Sequence, residues 1–241
     1  SKYPARPDGR THVREGFYQG RDVSFVGRPF PRAEAGEHLD RLKLWGLDFL
    51  RLLVPWEAVE HAGPGLYDEE YLDYLEGVAA AAEERGIRLF VDPHQDCWSR
   101  WTGGDGAPSW TLEEAGFELR NLHASGAAFL HQEHGDPCPR MVWAANYARL
   151  GCATMFTLFF GGDHAAPELR VEGESFQERL QGHYIRAMAA VARRLGRFPN
   201  VVGFDSMNEP SAGYLGLSDL RRLARALTRT GPMPSPWEAI R

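Results

Sequence analysis

Three times along the chain, a stripe of apolar residues at helical spacing gives way to a short, nearly continuous apolar run. Ala35, Leu39, Leu42 and Trp45 recur at steps of four, three and three, the face of an amphipathic helix, and Gly46 follows. Next comes Phe49-Leu50-Arg51-Leu52-Leu53-Val54, closed by Pro55, which reads as a buried strand interrupted by Arg51. Tyr71, Leu75, Val78 and Ala82 trace a second helix ending at Gly86, and Ile87 to Val91 a second strand with Asp92-Pro93 at its end. Phe176, Leu180, Tyr184, Ala187, Val191 and Leu195 mark a third helix. It leads into Val201-Val202-Gly203-Phe204 and then Asp205-Ser206-Met207-Asn208-Glu209-Pro210. Helix, strand and polar cluster in repeated succession predict α/β architecture with parallel strands. The unbroken apolar character of the strands predicts cover on both faces.

The intervals between these units are uneven. Residues 1–31, broken by Pro4, Pro7, Gly9, Gly16, Gly20, Gly27, Pro29 and Pro31, read as loop. Strands ending near 54 and 92 lie one βα unit apart, but the next ends near 207. The stretch between is too long for a bare loop, so it reads as an insertion with its own helices over the strand ends. After Pro210 the pattern offers one more helix, roughly Leu217 to Arg229, and a Pro-rich end. An eight-stranded barrel usually takes about 250 residues. With three convincing strands in 241 residues, the chain reads as part of a barrel: a single, partial domain over residues 1–241.

Composition narrows the partners. Lys and Arg total 27 against 33 Asp and Glu, a formal charge of −6, which argues against nucleic acid as a partner because phosphates need a basic face. Cys97, Cys138 and Cys152 are too scattered for a disulfide framework or a zinc site, and plain thiols fit a reducing compartment. The first seven residues hold no signal-peptide core, and no apolar run approaches the roughly 18 residues of a membrane span. A cytoplasmic location is therefore expected over a secreted one.

In parallel α/β folds the chemistry gathers where strands end. Glu209, a carboxyl at a strand end beside an amide, suits a general acid/base if partial burial holds its proton. The alternative is a helix-capping carboxylate. Asn208 can orient a substrate hydroxyl or simply shape a turn. His94 and Asp96 can bond sugar hydroxyls or ligate a metal; a metal needs a third ligand, for which Asp92 is the near candidate, and neither metal nor cofactor is expected. Arg51 inside an apolar strand is costly unless paired, so it is expected to hold Glu209 or another acid, catalytically or as a structural pair. Glu57 stands at a strand end as a second carboxylate. Trp56, Trp98, Trp101 and Trp110 near the strand ends can stack on pyranose faces or fill the core, and Met155 to Phe160 can fill the core or line an apolar entrance.

These same residues carry a family likeness. Asn208-Glu209-Pro210 at a strand end resembles the acid/base motif of clan-A glycosidases. His94-Gln95-Asp96 followed by Gly103-Gly104-Asp105-Gly106-Ala107-Pro108 resembles glycoside hydrolase family 5 in its endoglycoceramidase-like branch. Three further segments, residues 23–30, 56–65 and 153–160, resemble the glucosylceramidase and steryl β-glucosidase group, and the likeness runs over essentially the whole chain. The resemblance implies a (β/α)₈ TIM barrel and retaining hydrolysis of a β-glucosyl bond in a glycolipid. It implies Glu209 as acid/base, Asn208 as its neighbour on the sugar 2-hydroxyl, and Lys2, His94 and Asp96 as sugar-binding residues. Arg51 matches the arginine that orients the catalytic carboxylates. A retaining mechanism needs two carboxylates about 5–5.5 Å apart, and the family's nucleophile glutamate falls beyond the region this chain matches. Glu238, the only later Glu, has the wrong context. The expectation is a partial enzyme that reaches its lipid substrate by transient contact with a membrane surface. An endoglycoceramidase-type endoglycosidase and a non-catalytic glycolipid-binding barrel are the alternatives.

Overall fold

The computed structural model describes residues 3–5, 14–139, 142–219, 221 and 237. A four-residue helix, α1 (Arg14–Phe17), interrupts the stretch expected to be loop. The first βα units follow as α2 (Ala35–Leu44), β1 (Phe49–Pro55), α3 (Trp56–Glu60), α4 (Glu69–Glu83) and β2 (Arg88–His94). Residues between β2 and β5 form the predicted insertion, with helices α5 (Ser109–Glu114), α6 (His131–His134) and α7 (Leu150–Ala165). A two-residue hairpin, β3 (Arg170–Val171) with β4 (Glu174–Ser175), then leads into α8 (Phe176–Leu195) and β5 (Val201–Phe204). Leu217 to Asp219 are not helical, and the rest of the helix expected near 217–229, like Lys2 and Glu238, lies outside the described residues, apart from Arg221.

Local chemistry sets the helix starts. The Asp68 carboxylate accepts from the Tyr71 N–H at 2.9 Å and caps α4, and the Ser175 hydroxyl accepts from the Glu178 N–H to cap α8. Helix α8 buries Phe176, Leu180, Ala187, Val191 and Leu195 along one stripe. Arg193 and Arg194 sit in its last turn, where the helix dipole favours cations. The Asn200 amide donates to the Ala79 and Ile87 carbonyls, joining the start of β5 to α4 and β2.

Strands β1, β2 and β5 form one parallel sheet in the order β1-β2-β5. Leu52, Val54, Leu89 and Val91 are buried under the helices. Arg51, Asp92 and His94 share the opposite face by strand alternation and register. Cover on both faces, expected from the apolar runs, holds for β2 and fails at the edges. Phe49 on β1 and Val202 and Phe204 on β5 are 50%, 51% and 40% exposed within this chain, which spans only part of the barrel. These three strands and their helices are part of a (β/α)₈ barrel. No helix among the described residues is long and apolar enough to cross a membrane.

The insertion builds a second core over the strand ends. Trp56 packs edge-on against Trp98 and Trp110, and Trp98 against Phe156 and Phe159, with ring centroids 5.4–6.3 Å apart. Trp56, Trp98, Trp101 and Trp110 are all buried, so of their two readings the core one holds and the sugar platform is corrected: the first, second and fourth pack within the aromatic layer, and Trp101 lies under Arg100. Met155, Phe156, Leu158 and Phe159 are likewise core, while Phe160 is exposed. Trp110 also donates its indole N–H to the Glu60 carbonyl at 2.9 Å. Trp110→Ala is therefore expected to cost about 3–5 kcal/mol of stability, measured as a lowered denaturant midpoint at unchanged slope. A loss under about 1 kcal/mol would mean that the aromatic layer is not a packed core.

Candidate active site

The site is framed by the turn that follows β2. Asp96 and Asp105 exchange backbone hydrogen bonds of 3.0 and 2.9 Å, folding residues 96–105 into a closed loop. That approach requires glycine at 104, where a Cβ would lie 1.7 Å from the Asp96 carbonyl oxygen. A capping box between Ser99 and Thr102 shapes the tip. Beneath it the fully buried Arg100 donates from Nε to both oxygens of Glu57, at 2.9 and 3.1 Å, and its two remaining nitrogens donate to the carbonyls of Phe17 and Gln19. Its guanidinium stacks over the Trp101 ring at 3.8 Å. Burial pushes the Glu57 carboxyl up, against the opposing pull of Arg100. Glu57 is thus a buried structural carboxylate, sealed from any substrate, and not the second carboxylate its strand-end position suggested.

Above this frame the charged groups form a row. Asp92 Oδ2 is 2.9 Å from Arg51 Nη2 and 2.8 Å from His94 Nδ1. Since a carboxylate only accepts, Nδ1 carries the proton and the buried Nε2 edge faces the loop acids. Nε2 lies 3.5 Å from Asp96 and 3.9 Å from Asp105. Of the acids left open for Arg51, Glu209 or another, the structure gives it Asp92. It is not the buried cation the apolar strand implied, because its side chain is 48% exposed.

Asn208 and Glu209 arrive at the same place from β5. The Asn208 N–H donates to the Pro93 carbonyl at 3.0 Å, its Nδ2 donates to the Gln95 carbonyl at 2.8 Å, and its Oδ1 accepts from Arg51 Nη2 at 2.5 Å. The amide is fixed from both ends. Glu209 has a left-handed φ of 37° and is exposed within this chain, where β5 pairs on one side only.

A cavity of about 460 Å³ opens beside the row, with Asp96, Gly104 and Asp105 along one side and His131 and Trp143 of the insertion along the other. The Tyr3 hydroxyl donates to the Gly104 carbonyl at 3.1 Å, and burial, seconded by Asp105, pushes its pKa up to about 12. Asp105, Tyr3 and Trp143 escaped the sequence reading. Asp105 stood in a noticed glycine-rich loop, but nothing local says that the loop folds back onto Asp96. Tyr3 and Trp143 sit in segments with no periodicity.

His94, Asp96 and Asp105 each offer one ligand atom within 4.8 Å of the others, so the third member of the cluster is Asp105 rather than Asp92. An imidazole between carboxylates is equally a ready-made set of donors and acceptors for vicinal hydroxyls.

Carboxylates, an imidazole and an amide assembled at the carboxyl ends of parallel strands, beside a polar cavity, define the site-bearing part of a (β/α)₈-barrel protein. The chain belongs to glycosyl hydrolase family 5: residues 18–228 match the family model described as cellulase (glycosyl hydrolase family 5). It is 49% identical to a glucosylceramidase of Rhizopus delemar, over 100% of this chain and 36% of that protein. It is 41% identical to an ergosteryl-beta-glucosidase of Saccharomyces cerevisiae, over 99% of this chain and 35% of that protein. Among solved structures, Cryptococcus neoformans sterylglucosidase 1 with tris superposes with a TM-score of 0.91 at 39% identity, over 99% of this chain and 35% of that one. Endo-glycoceramidase II from Rhodococcus sp. gives 0.57 at 28% identity, over 89% and 39%. The chain spans about a third of the length of the curated relatives it matches.

The frame has a measurable consequence. Arg100→Met leaves Glu57 buried without its cation and two backbone carbonyls without a donor, and is expected to destabilise by about 3–5 kcal/mol. Adding Glu57→Leu should restore part of the loss, because the pair is then removed as a unit. Equal stability of Arg100→Met and the parent in equilibrium unfolding would contradict this account of the loop.

Proposed function

We propose that the chain is part of the catalytic domain of a retaining β-glucosidase that removes glucose from a glycolipid, glucosylceramide or a steryl β-glucoside. Glu209 is its general acid/base. In this reading Asn208 contacts the sugar 2-hydroxyl, His94 and Asp96, with Lys2, hold the other hydroxyls, and Arg51 orients the site through Asp92 and Asn208. The nucleophile is a glutamate outside these 241 residues. Because the substrate is a lipid, the enzyme meets it by transient contact with a membrane surface.

The observation that carries this reading is the convergence on one strand-end face of Asn208-Glu209 with Arg51, His94 and Asp96, from positions far apart in the sequence. The protonated acid donates to the glycosidic oxygen as the bond to carbon breaks. Its conjugate base then takes a proton from the water that releases the glucose. The relatives named for glucosylceramide and steryl glucoside hydrolysis are more similar than the endoglycoceramidases, which favours release of a single glucose over release of an oligosaccharide.

In the intact protein Glu209→Gln is expected to lower turnover of glucosylceramide or a steryl glucoside by about 10²–10⁴-fold while substrate still binds. Unchanged turnover removes Glu209 from the mechanism, and binding without turnover in the parent favours a non-catalytic glycolipid-binding barrel. Faster cleavage of lactosylceramide than of glucosylceramide would assign the endoglycosidase activity instead.

A further inference from the structure

We propose that Gln95 is a positioning residue for Glu209, acting as a splint that holds the backbone turn from which the acid/base projects. The inference rests on the reading of Glu209 given above and deepens it.

The buried Gln95 side chain lies between two strained turns. Its Nε2 donates to two successive carbonyls, that of Asn208 at 2.6 Å and that of Glu209 at 3.0 Å. Its Oε1 accepts from the Trp98 N–H at 2.9 Å, which settles which way the amide faces. The return bond, Asn208 Nδ2 to the Gln95 carbonyl, makes the contact reciprocal: each residue's side-chain amide serves the other's main chain. Both turns that Gln95 touches are left-handed at residues other than glycine. Glu209 has φ 37°, and Cys97 and Trp98 have φ 50° and 74°. Such backbone persists only where its surroundings over-determine it. At Glu209 the surroundings are this amide: with its carbonyl and the preceding one fixed on a single NH₂ group, the peptide planes flanking the Glu209 Cα cannot turn independently. The position of Gln95 is set in turn by Gly106, where a Cβ would stand 2.4 Å from the Gln95 Cβ. A side chain at 106 would push the splint off the acid/base turn.

A displaced acid fails selectively. Cleavage of a glucoside whose leaving group is an alkoxide needs the proton from Glu209; cleavage of a dinitrophenyl glucoside does not. In the intact protein, Gln95→Met should lower kcat/KM for steryl or alkyl β-glucosides by about 10–100-fold and leave the dinitrophenyl substrate within about threefold. The dependence of kcat/KM on leaving-group basicity therefore steepens. If Gln95→Met does not fold, Gln95→Glu is measured the same way: it keeps the acceptor for Trp98 and sets a carboxylate oxygen against the two carbonyls, and the same steepening is expected.

A second comparison uses Glu209→Gln as background. There, adding Gln95→Met should cost less than about twofold more, since the splint has no acid left to position. A fall of equal size across all leaving groups, or losses that multiply in the double variant, would reduce Gln95 to a structural residue and overturn the proposal while the role of Glu209 stands. If Glu209→Gln alone leaves turnover unchanged, the functional reading itself fails, and the proposal with it.

Discussion

A guanidinium with no access to water has to find a partner for each of its donors within the protein, and Arg100 does so by drawing together parts of the chain that share no sequence neighbourhood. Its ion pair with Glu57 reaches the first turn of α3, just past the end of β1, its other nitrogens reach the carbonyls at Phe17 and Gln19, and its flat face covers Trp101. Removing both charges together would remove the constraint, but removing one leaves a buried ion. Because Arg100 stands in the loop closed by Asp96 and Asp105, the geometry of these two acids is inherited from this buried pair.

On top of that frame, apolar and polar residues divide the work. The tryptophans that crowd the strand ends make a dry floor of edge-on rings. Above it sit a few polar groups, each fixed by a neighbour: His94 by Asp92, Asn208 by Arg51 and the Gln95 carbonyl, Gly104 by Tyr3. Preorganisation of this kind costs nothing further when a substrate arrives.

Much of this was legible in the sequence, and the reasons for the misses differ. The alternation of apolar stripe and apolar run placed α2, α4, α8 and all three sheet strands, because periodicity is a local property of a buried face. That the 92–207 interval carries helices followed from length alone. What failed was any inference that needed to know what lies across space. Arg51 was expected to hold Glu209 or another acid because an unpaired cation demands one, but charge demand does not say which acid, and register delivers Asp92. The tryptophans near the strand ends were left between sugar platform and core, and only packing decides for the core. Asp105 and Tyr3 were passed over because no spacing rule predicts a loop returning on its own start.

The two halves of the polar site also differ in when they come into being. Residues 92–105 close on themselves within a few positions, whereas Asn208 joins Gln95 across a separation of 113 residues. At ribosomal rates of about 5–20 residues per second, that separation is a wait of roughly 6–20 s. During it the acids of the loop exist in the nascent chain with no amide to meet them. The Gln95 side chain, until Asn208 and Glu209 are made, has two hydrogen bonds still to form, so the turn at Glu209 takes its shape only once both ends of that long-range contact exist.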